Sequence, residues 1–272
     1  MKRLLTGRAK PGATREQTER RERFTRARRE SLRPDSDEII VLYGWHTVTA
    51  ALRNPARAIH KLLVTENAAR RLAEEGVPRA GRAEIVRPSA IDERLSPDAV
   101  HQGLYLETEP LAAPDVEALR DGIVVVLDQI TDPHNAGAIF RSAAAFGAKA
   151  IMTTQRHSPD ATGVLAKAAS GALELVPLVN VQNLARGLAA LKANGFLIVG
   201  LDSEGDADLA ALPLRAPLAL VLGAEGKGLR QITRETCDHV ARIELPGAIV
   251  SLNVSNAAAV SLYVANRAIA TG

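Results

Sequence analysis

The sequence predicts an α/β protein in which a C-terminal parallel sheet, covered by helices on both faces, follows a smaller α/β unit. From Gly122 onward, short apolar runs alternate with helical segments, which is the pattern of parallel strands joined by crossover helices. The run GIVVVLDQI has no polar alternation, as expected for a strand covered on both sides. The composition also changes near residues 38 and 109, which indicates two further boundaries.

The first segment, residues 1–37, is predicted to be a basic and disordered arm. Residues 1–34 contain twelve Lys or Arg against four Glu, with few large apolar side chains. Such a segment cannot bury enough surface to offset its ordering entropy. It is interpreted as an RNA phosphate-binding arm, with a solubilising tail or a solvated helix held by Glu–Arg pairs as alternatives.

Residues 38–108 are predicted to form a small α/β unit that can fold alone. Its strands and helices are expected in EIIVLYGWHTVTAAL, AIHKLLVTE, NAARRLAEEG, AEIVRP and LYLETEP. The following segment, PLAAPDVEAL, carries two prolines and shows no periodicity. Residues 109–121 are therefore predicted to be a linker.

Residues 122–272 are predicted to form the larger domain. Its strands are expected in GIVVVLDQI, KAIMTT, LELVPLV, FLIVGLD, LALVLG and HVARIELPG, and its helices in NAGAIFRSAAAFGA, ATGVLAKAASGAL, VQNLARGLAALKANG and the segment after residue 253. Ligands of such sheets bind beyond the carboxyl ends of the strands. The loops after residues 128, 222 and 245 are thus the places to seek chemistry.

The composition of the 272 residues argues against several classes of protein. The single cysteine, Cys237, rules out an internal disulfide and fits a reducing compartment, so a cytoplasmic protein is expected. No run approaches about 18 apolar residues, so no membrane span is expected. The six histidines form no ligand cluster in the sequence, and no metal is predicted.

The first loop is LDQITDPHNAGAIFRSA. Asp132 and Pro133 are a good N-cap and first helical residue, so Asn135 falls in the first helical turn, where an anion is favoured. Arg141 lies deeper in the same helix among apolar residues. From pattern alone, a surface role for Arg141 is as reasonable as a functional one.

The other two loops combine small residues with polar ones. In LVLGAEGKGLR, glycines allow a tight turn with Glu225 at its tip, although neither a P-loop nor a Rossmann fingerprint is matched. In IELPGAIVSLNVSN, four small polar residues precede an apolar helix. A helix cap needs one such residue, so the surplus indicates a polar wall facing a ligand.

Taken together, the three loops resemble the ordered motifs of the SpoU (TrmH-like) RNA ribose 2′-O-methyltransferases of the SPOUT superfamily. The front unit, with VLYGWHTVTAAL and HQGLYLE, resembles the ribosomal-protein-L30e-like RNA-binding module that precedes this domain in some members. This layout is most similar to the bacterial 23S ribosomal-RNA guanosine 2′-O-methyltransferases. The resemblance implies a deep trefoil knot, S-adenosyl-L-methionine as cofactor, ribosomal RNA as substrate and a homodimer.

The resemblance also implies site residues. Catalytic positions would be Arg141, Asn135, Glu225, Asn253 and Ser255, with Arg141 positioning the RNA and with Asn135 and Glu225 orienting Arg141. Cofactor-binding positions would be Gly223, Ile243, Leu252, Leu222, Leu245 and Ser251. No metal is implied. A transfer-RNA ribose methyltransferase on the same scaffold, and a non-catalytic RNA-binding ribosome-assembly factor, are the alternatives.

Overall fold

The computed structural model describes residues 39–154 and 163–271, which lie within one compact unit, Glu38–Gly272. The predicted basic arm lies outside the described residues, and so does the start of the helix predicted in ATGVLAKAASGAL. Among the described helices, none is both long and apolar enough to cross a membrane.

The N-terminal part is built on a four-stranded sheet with three helices. The elements are β1 (Ile40–Tyr43), α1 (Trp45–Arg53), β2 (Ile59–Val64), α2 (Glu66–Glu74), β3 (Glu84–Ile85), α3 (Pro88–Asp92) and β4 (Leu104–Thr108). The strand order is β1-β4-β2-β3. Strand β4 is antiparallel to both of its neighbours, whereas β2 and β3 are parallel.

The C-terminal part is built on a seven-stranded sheet. Its elements are β5 (Ile123–Asp128), α4 (Pro133–Ala145), β6 (Ala150–Thr154), α5 (Gly163–Ala169), β7 (Leu178–Val181), α6 (Leu184–Ala193), β8 (Leu197–Leu201), β9 (Ala207–Asp208), β10 (Leu218–Gly223), α7 (Gln231–Thr236), β11 (His239–Arg242) and α8 (Val254–Thr271). The strand order is β7-β6-β5-β10-β8-β11-β9, and each pairing is parallel.

The predicted parallel sheet with helices on both faces is confirmed. Helices α4, α5 and α8 pack on one face of the sheet, and α6 packs on the other. Strand β5 is buried along its whole length because side chains on both of its faces are covered. Its register with β10 pairs Asp128 with Gly223, so both loops begin at the same edge of the sheet.

The strand predicted in LELVPLV is only partly correct. A short 3₁₀ turn, Ala172–Glu174, occupies its beginning, and β7 starts at Leu178. Pro177 has no N–H group to donate to a neighbouring strand, which explains why the ladder starts after it. Helix α7 and the short strand β9 were not predicted from the sequence.

Helix α5 belongs to two hydrophobic cores at once. Leu165 and Ala169 lie in the core beneath the large sheet, whereas Ala166 lies in the core of the small sheet. The Thr47 hydroxyl of α1 donates a 3.1 Å hydrogen bond to the carbonyl of Ala166. The two sheets are therefore joined through this helix as well as through the covalent linker.

A buried ion pair also joins the two sheets. Arg57 Nη2 lies 2.6 Å from Glu174 Oε1, and the two side chains are 3% and 5% exposed. Arg57 Nε and Asn54 Nδ2 both donate to Glu174 Oε2, at 3.3 and 2.7 Å. The desolvated carboxylate thus has three donors, as a buried charge requires.

Candidate active site

The first turn of α4 is shaped by its cap. Asp132 Oδ1 accepts a 3.0 Å hydrogen bond from the His134 amide, and Pro133 stands at the first helical position. This arrangement is the one predicted from the sequence. It places the Asn135 side chain, partly buried, at the carboxyl edge of the sheet beside the turn that follows β10.

The turn after β10 is closed by backbone contacts. The Ala224 amide donates to the Gly228 carbonyl at 3.1 Å, and the Gly228 amide donates back to the Ala224 carbonyl at 2.9 Å. A Cβ atom on Gly223 would lie 2.3 Å from the Gly228 carbonyl carbon, so only glycine fits there. The turn presents Glu225 at its tip.

Glu225 connects all three predicted loops. Its Oε1 atom accepts from Asn253 Nδ2 at 2.6 Å, from Asn135 Nδ2 at 3.3 Å and from the Val254 amide at 3.3 Å. The two asparagines also contact each other, since Asn253 Nδ2 lies 3.0 Å from Asn135 Oδ1. Residues far apart in the sequence therefore form one polar network at the edge of the sheet.

The start of α8 contributes the remaining members of this network. Asn253 Oδ1 accepts from the Ser255 amide at 2.9 Å and from its hydroxyl at 2.6 Å. Asn253 therefore caps the helix, while Glu225 places a carboxylate where the helix dipole favours negative charge. Of the four small polar residues singled out in the sequence, Asn253 connects α8 to the neighbouring loops, and Ser255, inside the helix, is bonded to Asn253.

Arg141 lies apart from the polar network. It is six residues beyond Asn135, which on a helix is about 9 Å along the axis and a third of a turn around it. Within the described residues, no hydrogen bond or ion pair joins Arg141 to Asn135 or Glu225. Arg141 instead lines a cleft between α1 and α4. The orientation of Arg141 by those two residues is thus not seen in this structure.

The six residues predicted to bind the cofactor surround the ends of β10 and β11. Leu222 and Gly223 end β10, Ile243 and Leu245 follow β11, and Ser251 and Leu252 precede α8. Residues 246–253 are exposed. In the described part of the chain, the backbone amides of 244–252 donate no hydrogen bond to protein groups. Proline apart, their donors remain available to a ligand.

Two further residues of the site were not identified from the sequence. Asp128, fully buried at the end of β5, accepts from Arg230 Nε at 2.6 Å and from the Arg230 amide at 3.1 Å. On the other side of the turn, Asp202 accepts from Arg234 Nη1 at 3.0 Å. Both pairs hold the segment that follows the turn carrying Glu225, one against the end of β5 and the other against the residue after β8. Asp128 was recognisable in the sequence as a polar residue at the carboxyl end of a buried strand, where the sites of parallel sheets lie.

Comparisons with known proteins assign the family. A family model described as the SpoU rRNA Methylase family matches residues 122–263, which is more than half of the chain. A second model, described as RNA 2′-O ribose methyltransferase substrate binding, matches residues 41–114. The chain therefore belongs to the SpoU rRNA methylase family, and the family predicted from the three motifs is confirmed.

The similarity extends over most of the chain. The 23S rRNA (guanosine-2′-O-)-methyltransferase RlmB of Ralstonia nicotianae is 41% identical over 236 residues, covering 84% of this chain and 95% of that protein. The protein of the same name from Pseudomonas putida is 36% identical over 238 residues, covering 83% and 95%. The SpoU methyltransferase AviRb from Streptomyces viridochromogenes, solved in complex with AdoMet, has a TM-score of 0.70 and 26% identity, covering 91% of this chain and 92% of that one.

Proposed function

We propose that this protein methylates the 2′-hydroxyl of a guanosine ribose in 23S ribosomal RNA, with S-adenosyl-L-methionine as the methyl donor. The observation that carries the proposal is the network in which Glu225 gathers Asn135 and Asn253 beside the end of β10. It lies within the region matched by the SpoU model. Relatives named for this reaction match this chain over nearly their full length.

The residues around the ends of β10 and β11 suit the cofactor. The amides of 244–252, proline apart, have no protein acceptor within the described residues and can donate to an adenine and to a carboxylate, and the tight turn at Gly223 lies beside them at the edge of the sheet. We assign cofactor contacts to the six residues predicted from the sequence. When bound, S-adenosyl-L-methionine supplies an electrophilic methyl group on a sulfonium. The cofactor-bound neighbour AviRb supports S-adenosyl-L-methionine as the cofactor.

The polar network is proposed to organise the site rather than to take up a proton. Glu225 Oε1 already accepts from three donors, and Asn135 and Asn253 are bonded to each other. A network satisfied in this way keeps its shape without the substrate, so little reorganisation is needed on binding. The polar groups of this network that remain open to the substrate are proposed to orient the ribose.

Arg141 is proposed to bind the RNA next to the target ribose. A guanidinium stays protonated and offers five donors in a planar fork, which suits a phosphate. Arg141 is exposed, so an RNA strand can reach it. Holding the phosphate fixes the adjacent hydroxyl, and proximity of this kind can contribute about 7–11 kcal/mol to lowering a barrier.

We also propose that the protein acts as a homodimer in the cytoplasm, where a ribosomal-RNA substrate is found. The segment before α8 exposes Ile249 and Val250 at 73% and 79%, and α8 exposes Tyr263 at 56%. Exposed apolar side chains of this size favour a protein interface where they lie together, and we expect these three to lie in one. Light scattering at several protein concentrations should give twice the mass of one chain.

Labelled methyl transfer tests the proposed function. The full-length protein is incubated with labelled S-adenosyl-L-methionine and unmodified total RNA, and the modified ribose is located by its resistance to alkaline cleavage. Label at one guanosine of 23S RNA, lost in Arg141→Ala, is the expected result. Label in transfer RNA would overturn the substrate. No label in any RNA, with the cofactor still bound, would indicate a non-catalytic RNA-binding factor.

A further inference from the structure

A cleft with a volume of about 650 Å³ lies between α1 and α4. Its floor is the segment from Ala169 to Leu175, and one of its walls is a single face of α1. That face consists of residues spaced three, four and seven positions after the first, which is the spacing of one helix stripe: His46, Thr49, Ala50 and Arg53, with Asn54 next to the end of the helix. The cleft is thus shared between the two sheets.

Small residues shape the floor of the cleft. Gly171 has φ +89°, and a Cβ atom there would lie 2.7 Å from the Cβ of Ala50. The backbone of the floor therefore approaches α1 as closely as it can. Ala144 and Ala169 line the cleft as well, and their short side chains leave it open.

The cleft carries uncompensated positive charge. Glu174, the acidic residue lining it, is already bonded to Arg57. Among the described residues, the acidic partner of Arg53 is Glu75, in an exposed contact of 3.8 Å, and exposed pairs of this length contribute little. Arg141 has no acidic partner within the described residues. Two guanidinium groups, one from each side, are therefore free to bind an anion.

The remaining lining favours a nucleotide over a simple anion. Leu175 is 74% exposed at the edge of the cleft and offers an apolar surface to a base. The volume lies within the range of small-ligand sites, and the exposed arginines show that the cleft opens to solvent. A strand of nucleic acid, with phosphates and base faces, matches both features.

We propose that this cleft binds the single-stranded RNA segment that flanks the target ribose, with Arg53 and Arg141 contacting successive phosphates. The inference rests on the proposed function and assigns a second group of substrate contacts to it. Arg53, on the substrate-binding module, and Arg141, on the methylase domain, hold the strand from opposite sides. The cleft therefore connects recognition of the RNA to the reacting nucleotide.

Salt dependence of RNA binding tests the proposed contact. Arg53→Ala is compared with Arg186→Ala, which removes the same charge from the exposed side of α6 on the opposite face of the sheet. Each phosphate contact to a single strand contributes about 0.7 to the slope of log affinity against log salt concentration. Arg53→Ala should lower the slope by about that amount and raise KM for RNA, leaving kcat nearly unchanged. Arg186→Ala should do neither.

Crosslinking tests the path of the strand independently of affinity. A photoreactive group on Leu175→Cys should crosslink to the RNA near the methylated nucleotide, whereas the same group on Ile85→Cys should not. Ile85 is 60% exposed on β3 and does not line the cleft. Both variants are made in a Cys237→Ser background, so that the label reacts at one position.

The outcomes separate this inference from the proposed function. If Arg53→Ala keeps the full salt slope and Leu175→Cys gives no crosslink, while the unaltered protein methylates ribosomal RNA, the cleft assignment is overturned and the function stands. If the unaltered protein neither binds nor methylates RNA, the proposed function fails and the cleft assignment fails with it. The assignment is supported if the salt slope falls in Arg53→Ala but not in Arg186→Ala, and if Leu175→Cys crosslinks to the RNA whereas Ile85→Cys does not.

Discussion

The carboxylate oxygen Oε1 of Glu225 lies 2.6 Å from the side-chain nitrogen Nδ2 of Asn253, although the two residues belong to different loops. The same oxygen receives the amide of Val254 at the start of α8. One carboxylate thus holds the turn after β10 against the segment that precedes the last helix. The shape of the site depends on this side chain as well as on the strand ends that bring the loops together.

Replacing Glu225 tests its organising role. In Glu225→Ala, Asn135 and Asn253 lose their shared acceptor, and the reacting groups are no longer aligned. Misplacement on the scale of 1 Å can lower a rate by roughly 100-fold, so kcat should fall by about that factor. Glu225→Gln keeps an oxygen acceptor and should retain more activity. Equal activity of both variants and the unaltered protein in a methyl-transfer assay would contradict the role.

Replacing Arg141 tests whether it binds RNA through its planar fork. Arg141→Lys keeps the charge but loses bidentate geometry, so it should restore little of the activity lost in Arg141→Ala. Binding of S-adenosyl-L-methionine, measured by calorimetry, should be the same in both variants and in the unaltered protein. Full activity in the lysine variant would show that charge alone is sufficient at this position.

Breaking the ion pair between Arg57 and Glu174 should destabilise the contact between the sheets. Glu174→Ala leaves a guanidinium that is 3% exposed without its carboxylate, and breaking a buried pair costs about 3–5 kcal/mol in the free energy of unfolding. The double variant Arg57→Met with Glu174→Leu should recover much of this loss, because no buried charge remains. Urea unfolding gives the free energy of unfolding of the single and the double variant. An unstable double variant with a stable single one would contradict the argument.

Asp128 should affect cofactor binding without contacting the cofactor. Asp128→Asn weakens two hydrogen bonds to Arg230 and so loosens the turn that begins at Gly223. Hydrogen bonds to charged groups contribute about 1.5–3 kcal/mol, so the Kd for S-adenosyl-L-methionine should rise at least tenfold. Asp121→Asn is the control, because the Asp121 side chain is 80% exposed and its ion pair with Lys149 is long, at 3.8 Å. Equal Kd values in the two variants would exclude this role.

Cys237 should be unreactive in the folded protein. Burial raises the pKa of its thiol from 9.0 to about 11, with smaller effects from neighbouring charges. At pH 8 the thiolate fraction should therefore be about 100-fold lower than in the unfolded chain, and alkylation slower by the same factor. The unfolded chain loses this proton near pH 9, whereas the folded protein keeps it until about pH 11. The free energy of unfolding therefore falls as pH rises from about 9 towards 11. Rapid alkylation of the folded protein at pH 8 would contradict the burial.

The parallel sheet was predictable because its signals are local. Long apolar runs such as Ile123–Leu127 identify central strands, and the Asp132–Pro133 pair identifies the start of α4. Pro177 was a local signal for the late start of the strand predicted in LELVPLV, but the 3₁₀ turn before it was not predictable, because Glu174 turns towards Arg57, which is 117 residues away. Its partner is set by the tertiary structure, which a local pattern does not contain.

The site, like the fold, has some features that the local sequence predicts and others that depend on the tertiary structure. The sequence indicated Asn135, Glu225 and Asn253 as separate polar residues in three loops, and their grouping follows from parallel strands ending at one edge. Arg141 was identified correctly as a residue of α4, but its place in the cleft depends on how the small sheet docks. That docking rests on side chains of α1 and α5, whose apolar faces look like ordinary core positions.

The double membership of α5 has a mechanical consequence. A helix of seven residues that contributes to two cores cannot leave one of them without exposing apolar surface, so the front module and the methylase domain do not swing freely on the linker. The spacing between these two parts of the protein is then fixed. We therefore expect it to prefer RNA that is already folded so as to span the distance between the recognised element and the target ribose.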